Sequence, residues 1–141
     1  MTLPCPICDE VGDLVSGGPA EVTVGTVAAA LERRPVVACP QRHDATPPAC
    51  SGAAMDAAEA ALPRARARWL RDDRCRGCGV ALRMPVRRTQ RTVTVATGEL
   101  PPATIHLDLP MTRCPDCGLD QVPSRSQEDL VVVIPALFAA R

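Results

Sequence analysis

A chain of 141 residues makes one ordinary domain or two very small ones. With one Phe, one Trp and no Tyr, it lacks the aromatic anchors that usually fill a small core. Net charge is zero and all 16 basic residues are Arg, so the totals describe neither a strongly basic nor a strongly acidic protein. No apolar run approaches the ~20 residues of a membrane helix. The opening Met1-Thr2-Leu3-Pro4-Cys5 has no basic-then-apolar secretion pattern, so the expected setting is a reducing cytoplasm. Eight Cys are then the available substitute for a large core, as metal ligands or as disulfides.

Cys5-Pro6-Ile7-Cys8-Asp9 opens the chain with a Cys-x-x-Cys turn. Two Cys three apart can set two sulfurs at adjacent corners of a tetrahedral zinc site. The residue after the second Cys favours left-handed backbone, which Asp9 tolerates better than most. Residues 21–24 read as a strand and residues 26–33 as a short helix ended by Pro35. Cys39-Pro40-Gln41-Arg42-His43 supplies a second ligand pair, so Cys5, Cys8, Cys39 and His43 form an expected site of three cysteines and one histidine. Cys50 is the alternative to His43, or an unpaired thiol.

Ser51 reads as the cap of a helix over residues 52–61, Pro63 interrupts it, and the Arg-rich continuation over residues 64–72 reads as a helical linker. That linker lies in a basic island. Residues 1–63 carry eight acids and three Arg, residues 64–91 ten Arg and two Asp, and residues 92–141 six acids and three Arg.

Cys75-Arg76-Gly77-Cys78-Gly79 and Cys114-Pro115-Asp116-Cys117-Gly118 form the most specific pattern, a four-cysteine site at Cys75, Cys78, Cys114 and Cys117. Gly79 and Gly118 suit the left-handed position. Arg74, Arg76 and Arg113 stand ready to offset the −2 charge of four thiolates on Zn2+. Between the knuckles, Pro85 limits the first strand, residues 91–96 alternate as a strand, and residues 98–102 read as a turn. Next, Ile105, Leu107 and Leu109 share one strand face. His106 lies on the solvated face. Thirty residues separate Cys8 from Cys39 and 35 separate Cys78 from Cys114, the mark of a degenerate internal repeat. At the C-terminus Ser126-Gln127-Glu128-Asp129 resembles a capping signature, and the helical reading is preferred over the strand that Val131-Val132-Val133-Ile134 would favour.

The expected fold is therefore a small metal-stabilised α+β protein. Two zinc β-ribbon, rubredoxin-like modules are joined by an Arg-rich helical linker, with segments 1–50, 51–73, 74–125 and an apolar docking segment 126–141. Two structural Zn2+ ions are the expected cofactors. Four disulfides would need an oxidising compartment, and a redox Cys-x-x-Cys would need a helix after the motif that residues 80–85 do not supply. With two His, no nucleophile elbow and no phosphate loop, no reaction suggests itself.

The expected function is a non-catalytic protein-interaction module, of antitoxin-like or regulatory type, that docks a protein or a second copy through Leu130, Val132, Ile134, Leu137 and Phe138. Internal packing of that segment is the competing reading. The alternative is a nucleic-acid accessory factor of transcription or translation using Arg64, Arg66, Arg68, Arg71, Arg87, Arg88 and Arg91, in a chain whose only exposed-stacking candidate is Trp69. A zinc or thiol switch involving Cys50 is the third.

Residues 75–118 also resemble the YgiT-type (MqsA N-terminal-like) zinc finger. Cys75-x-x-Cys78-Gly79, the alternation around Val93 and Val95, Leu109-Pro110-Met111, and Cys114-x-x-Cys117-Gly118 carry the likeness. The resemblance covers about a third of the chain. It implies a metal-pinned β-ribbon that contacts another protein, with Cys75, Cys78, Cys114 and Cys117 as ligands.

Overall fold

The computed structural model describes residues 1–68, 71–83, 86–97 and 100–139, with the backbone alone for Arg68, Arg71, Asp72 and Thr97. Trp69, Pro85 and Gly98 lie outside the described residues. The body is α+β. β3 (Ala20–Val24) and β4 (Val27–Leu31) form one hairpin, and β8 (Arg87–Thr97) pairs with β9 (Leu100–Arg113) to form a second. The hairpins join through their second strands, antiparallel, from Ala28↔Asp108 to Leu31↔Ile105. β10 (Asp120–Gln121) extends the same sheet beside the end of β9.

Two helices cover one face of this sheet. α1 (Pro48–Ala61) lies over β8, whereas α2 (Ser124–Ala139) lies over β3 and β4. Each helix therefore packs on the hairpin of the other half of the chain. Val27, Ala29 and Leu31 from the first hairpin meet Val93, Val95, Ile105, Leu107 and Leu109 from the second beneath both helices. The main core draws on all four segments proposed from sequence, while a small separate cluster of Cys5, Val37 and Cys39 lies within the first.

The first knuckle sits on a small sheet of its own, in which β1 (Thr2–Pro4), β2 (Val11–Ser16) and β5 (Pro35–Ala38) pair in the order β1-β2-β5. The β3–β4 hairpin leaves and re-enters this ribbon at a neck where the Gly17 amide donates to the Arg34 carbonyl and the Arg34 amide to the Gly18 carbonyl.

Several elements depart from the sequence reading. The helix expected over residues 26–33 is strand β4, since Val27, Ala29 and Leu31 alternate into the core with β3 and β9 on either side. Two ladders outweigh the helix propensity of three Ala. The helical linker expected over residues 64–72 is instead a two-stranded ribbon, β6 (Arg66–Arg68) with β7 (Arg71–Arg74). Pro63 holds Leu62 extended, with φ −118° and ψ 96°. Backbone bonds from Ala65 to Val122 and from Val122 to Pro63 then fix the chain as an extended segment.

α1 begins at Pro48, where the fixed φ suits the first turn, and Ser51 falls inside that turn. Leu100, Pro101 and Pro102, expected in a turn, already belong to β9.

The C-terminal segment is helical, with Leu130, Val133, Ile134, Leu137 and Phe138 buried at i, i+3, i+4, i+7 and i+8. Asp73 accepts from the Ser124 amide (2.8 Å) and hydroxyl at its start. Arg34 donates to the Phe138 carbonyl (3.1 Å) at its end. Ser126, expected as the cap, is a buried residue whose hydroxyl lies 3.1 Å from Thr26 Oγ1, to which it can donate. The docking face proposed from sequence is thereby corrected. Leu130, Ile134, Leu137 and Phe138 are core, and of the five only Val132 is exposed, beside Val131. An apolar stripe at helical spacing was needed to cover β3 and β4.

No helix among the described residues is long and apolar enough to cross a membrane.

Candidate metal centres

The three Cys-x-x-Cys turns share one backbone design. The amide of the first Cys bonds the carbonyl five residues on: Cys5 to Glu10, Cys75 to Val80, Cys114 to Leu119, at 2.8–3.0 Å. The amide four residues after the first Cys returns to its carbonyl, from Asp9, Gly79 and Gly118. Closing that loop needs positive φ, which is 62° at Asp9, 80° at Gly79 and 77° at Gly118. The amide two residues after the first Cys points at its sulfur in two of them, Ile7 to Cys5 (3.5 Å) and Gly77 to Cys75 (3.3 Å). The Cys39–His43 turn does likewise, with Gln41 N–H on Cys39 Sγ at 3.3 Å and Arg42 in the left-handed region.

These turns bring the ligand atoms together in two groups, Cys5, Cys8, Cys39 and His43, and Cys75, Cys78, Cys114 and Cys117, each with all atoms within 4.8 Å of one another. In the first, His43 Nδ1 lies 3.6 Å from both Cys5 Sγ and Cys39 Sγ, and Cys8 and Cys39 sulfurs are 3.3 Å apart. In the second, the Cys75–Cys117 and Cys78–Cys114 separations are 3.6 and 3.5 Å. A tetrahedral ion with bonds of about 2.0–2.3 Å has ligand–ligand edges of about 3.3–3.8 Å, so both sets fit one four-coordinate ion. All eight Cys are free, and these separations far exceed a ~2.05 Å disulfide bond. Cys50 is buried on α1 among core residues and joins neither group.

The electrostatics of the donors also call for a cation. The Gln121 side chain, then the amides of Cys78 and Gly77, bring the Cys75 thiol down to about 6. At Cys78 the Val80 amide favours the thiolate, but the neighbouring thiols of Cys114, Cys75 and Cys117 push it up to about 12. In the first group burial opposes ionisation of Cys5, yet the amides of Ile7 and Cys8 with the His43 and Cys8 side chains lower it to about 6. Cys8 gains from the Glu10 amide but rises to about 11 through burial and its neighbours Cys39 and Cys5. One sulfur per set, Cys5 or Cys75, ionises readily, whereas Cys8 in the first set and Cys78 and Cys117 in the second are held protonated unless a positive ion joins them.

One contributor was invisible in the sequence. Gln121 is fully buried. Its Nε2 donates to Cys75 Sγ (3.3 Å) and to the Leu119 carbonyl, and its Oε1 accepts the Arg76 amide at 2.8 Å. The two-residue strand β10 puts it there, and an isolated Gln four residues after a knuckle carries no motif.

The basic residues are only partly gathered. Arg64 pairs with Glu59 (3.4 Å), Arg88 with Asp108 (3.1 Å) and the Thr26 carbonyl, and Arg91 with Asp120 (3.4 Å). Arg113, expected to offset thiolate charge, also pairs with Asp120 at 3.1 Å. Arg66 and Arg87 are exposed, and Arg68 and Arg71 sit opposite each other on the β6–β7 ribbon. His106 is exposed on the open sheet face, at a shallow concavity of about 870 Å³ that also includes Glu21 and Asp108. Among the described residues these three are not close enough to share an ion.

No protein-family model, curated protein or solved structure matches the chain.

Proposed function

We propose that this is a non-catalytic zinc protein, in which two structural Zn2+ ions pin a composite sheet that serves to bind another macromolecule. The observation that carries the reading is the pair of closed four-donor sets at tetrahedral spacing. With all four corners supplied by protein, neither has the open position that a catalytic zinc keeps for water. Zinc fits the donors, since thiolate and imidazole at tetrahedral corners favour it over oxygen-seeking cations. Reduced thiols are required, the condition of a reducing cytoplasm.

The degenerate-repeat reading belongs to the same proposal. Two bridges at equivalent places support it: Pro4↔Val11 around the first knuckle and Arg74↔Ala81 around the second, each from the residue before the first Cys to the third after the second. The likeness of residues 75–118 to a YgiT-type finger is supported by the knuckles flanking the β8–β9 hairpin, and would make the partner a protein. Val131 and Val132 offer little apolar area for such a partner.

Native mass spectrometry of the reduced protein tests the proposal. The expected mass includes two zinc ions, and both are lost on chelation together with cooperative melting. A metal-free protein of unchanged fold, or one carrying disulfides, would overturn it.

A further inference from the structure

We infer that the outer face of the β1-β2-β5 ribbon docks a basic, apolar segment of a partner protein, with Val11 and Val15 receiving its apolar side chains and Asp13 its cation. The inference deepens the proposed function, on which it rests for there being a macromolecular partner, and makes that partner a protein.

The face follows from the register. Pairing runs unshifted from Thr2↔Asp13 to Pro4↔Val11 and from Asp13↔Ala38 to Ser16↔Pro35. Directly paired residues of an antiparallel ladder share one side of the sheet, and neighbours along a strand alternate. Leu3 and Val37 therefore point one way, into the cluster with Cys5, Cys8 and Cys39. Thr2, Pro4, Val11, Asp13, Val15 and Ala38 point the other way, and all of them are exposed. Val36, beside the neck, is the buried residue on that side.

The knuckle does not require apolar side chains there. The Pro4↔Val11 pair has counterparts in Arg74↔Ala81 and Arg113↔Asp120 at the other two Cys-x-x-Cys turns. Val11 and Val15 are 61% and 37% exposed, and of the six large apolar side chains exposed among the described residues four, Met1, Ile7, Val11 and Val15, precede Ser16. Single exposed valines are ordinary, whereas such a concentration on one small ribbon marks an interaction site.

Charge and area choose the occupant. Residues 1–16 carry Asp9, Glu10 and Asp13 and no Arg. Asp13 stands between Val11 and Val15 on the open face and makes no ion pair among the described residues. An apolar surface laid over it would strand a carboxylate, so the partner must bring a cation. A second copy is disfavoured on two counts. A two-fold contact centred on this face would set Asp13 against Asp13, and so few side chains fall short of the roughly 20–30 residues a side of a stable interface. A peptide segment needs no such area.

The test is selection of a phage-displayed library of short random peptides on the zinc-loaded protein, followed by fluorescence anisotropy of the selected peptides. The selected sequences should place Arg or Lys between apolar residues. Val11→Ser with Val15→Ser should weaken them about tenfold or more, from the loss of two apolar contacts. Val131→Ser with Val132→Ser, a matched pair of exposed valines on α2, should bind as the parent. Asp13→Arg should turn the selection toward Asp or Glu. Zinc content and melting of every variant are measured in parallel.

An empty selection, an equal loss in the α2 control, or a selection indifferent to the charge at position 13 overturns the inference. So does a concentration-dependent dimer that Val11→Ser with Val15→Ser dissolves, because a second copy would then occupy the face. Any of these in a protein holding two zinc ions leaves the metal proposal intact. Selection of basic peptides by a protein found to hold no zinc would sink the metal proposal and leave this inference standing.

Discussion

The two donor sets use the same knuckle but are anchored differently. In the second half, β9 runs unbroken from Leu100 to Arg113, delivering Ile105, Leu107 and Leu109 to the core and Cys114 to the metal set at its end. In the first half the corresponding path is split. β4 ends at Leu31 in the large sheet, and β5 restarts at Pro35 in a separate three-stranded sheet before Cys39. Cys5, Val37 and Cys39 form a small cluster with Leu3 and Cys8 on that side of the neck. The lesson is that the same knuckle can serve either the whole fold or one appendage, depending on whether the strand that delivers its donors is also a core strand.

Removing each ion in turn breaks the comparison most directly. Cys75→Ser with Cys114→Ser should leave the protein unable to fold cooperatively, because structural zinc in small fingers is worth about 10–16 kcal/mol, as much as a domain's entire stability. Cys5→Ser with Cys39→Ser should release one ion and loosen residues 1–16 and 35–43, leaving the rest folded. Amide exchange read against metal content separates the two. Equal global unfolding in both variants would show that the neck at Gly17 and Arg34 transmits as much as β9 does.

Gln121 is the next discriminator. Gln121→Met keeps volume but removes the donor to Cys75 and the acceptor for the Arg76 amide. A hydrogen bond to a charged group is worth about 1.5–3 kcal/mol, so stability should fall by roughly 2 kcal/mol. Transfer of one zinc to a colorimetric chelator should speed up while the other keeps its rate. If both rates stay unchanged, the bond to sulfur contributes nothing to holding the ion.

How far these features were legible in the sequence follows the same division. All eight candidate donors could be read because metal geometry fixes local spacing, and the choice of His43 over Cys50 agrees with the two groups that assemble. The α+β class and strands β3, β8 and β9 were also legible, since Thr92 to Val95 and Ile105 to Leu109 alternate plainly. What failed was decided by distant partners. Val27-Ala28-Ala29-Ala30-Leu31 looks helical until β9 and β3 claim both its edges, and the Arg-rich stretch looks helical until Val122 holds residues 63–65 extended. The tail read as surplus apolar surface because the first hairpin's need for a cover could not be seen before the hairpins merged. Gln121 had no signal at all.

A smaller effect tests the seam between the halves. Asp129 accepts from the Thr26 amide (2.9 Å) and hydroxyl (2.8 Å), at a turn where a side chain on Gly25 would strike its carboxylate. The Thr26 amide first, and then its hydroxyl, lower the Asp129 pKa from its ordinary value. A carboxyl lowered in the folded state adds stability that is complete above the unfolded value near 3.9 and is lost as pH falls through the folded one. Asp129→Asn should therefore melt lower than the parent at pH 7 and converge with it as pH falls through the lowered folded-state value. A melting difference that stays constant with pH would mean that the charge on Asp129 does not strap the helix to the turn.

The smallest expected effect lies at the left-handed position of the knuckle, where the halves differ. Gly79 and Gly118 take φ of 80° and 77°, whereas Asp9 takes 62° with a side chain attached. A left-handed backbone costs most L-residues about 1–2 kcal/mol, and less for Asp. Gly loses more conformational freedom on folding, so Asp9→Gly should gain well under 1 kcal/mol. The gain should appear only as slower zinc release from the first set, the one that includes His43. Conversely, Gly79→Ala places a Cβ in strained backbone although open space surrounds it, so any loss of metal affinity there reports backbone strain alone. If Asp9→Gly instead weakened the first site, the Asp9 carboxylate would have to be stabilising the knuckle itself, and the two turns would no longer be equivalent in physics as they are in shape.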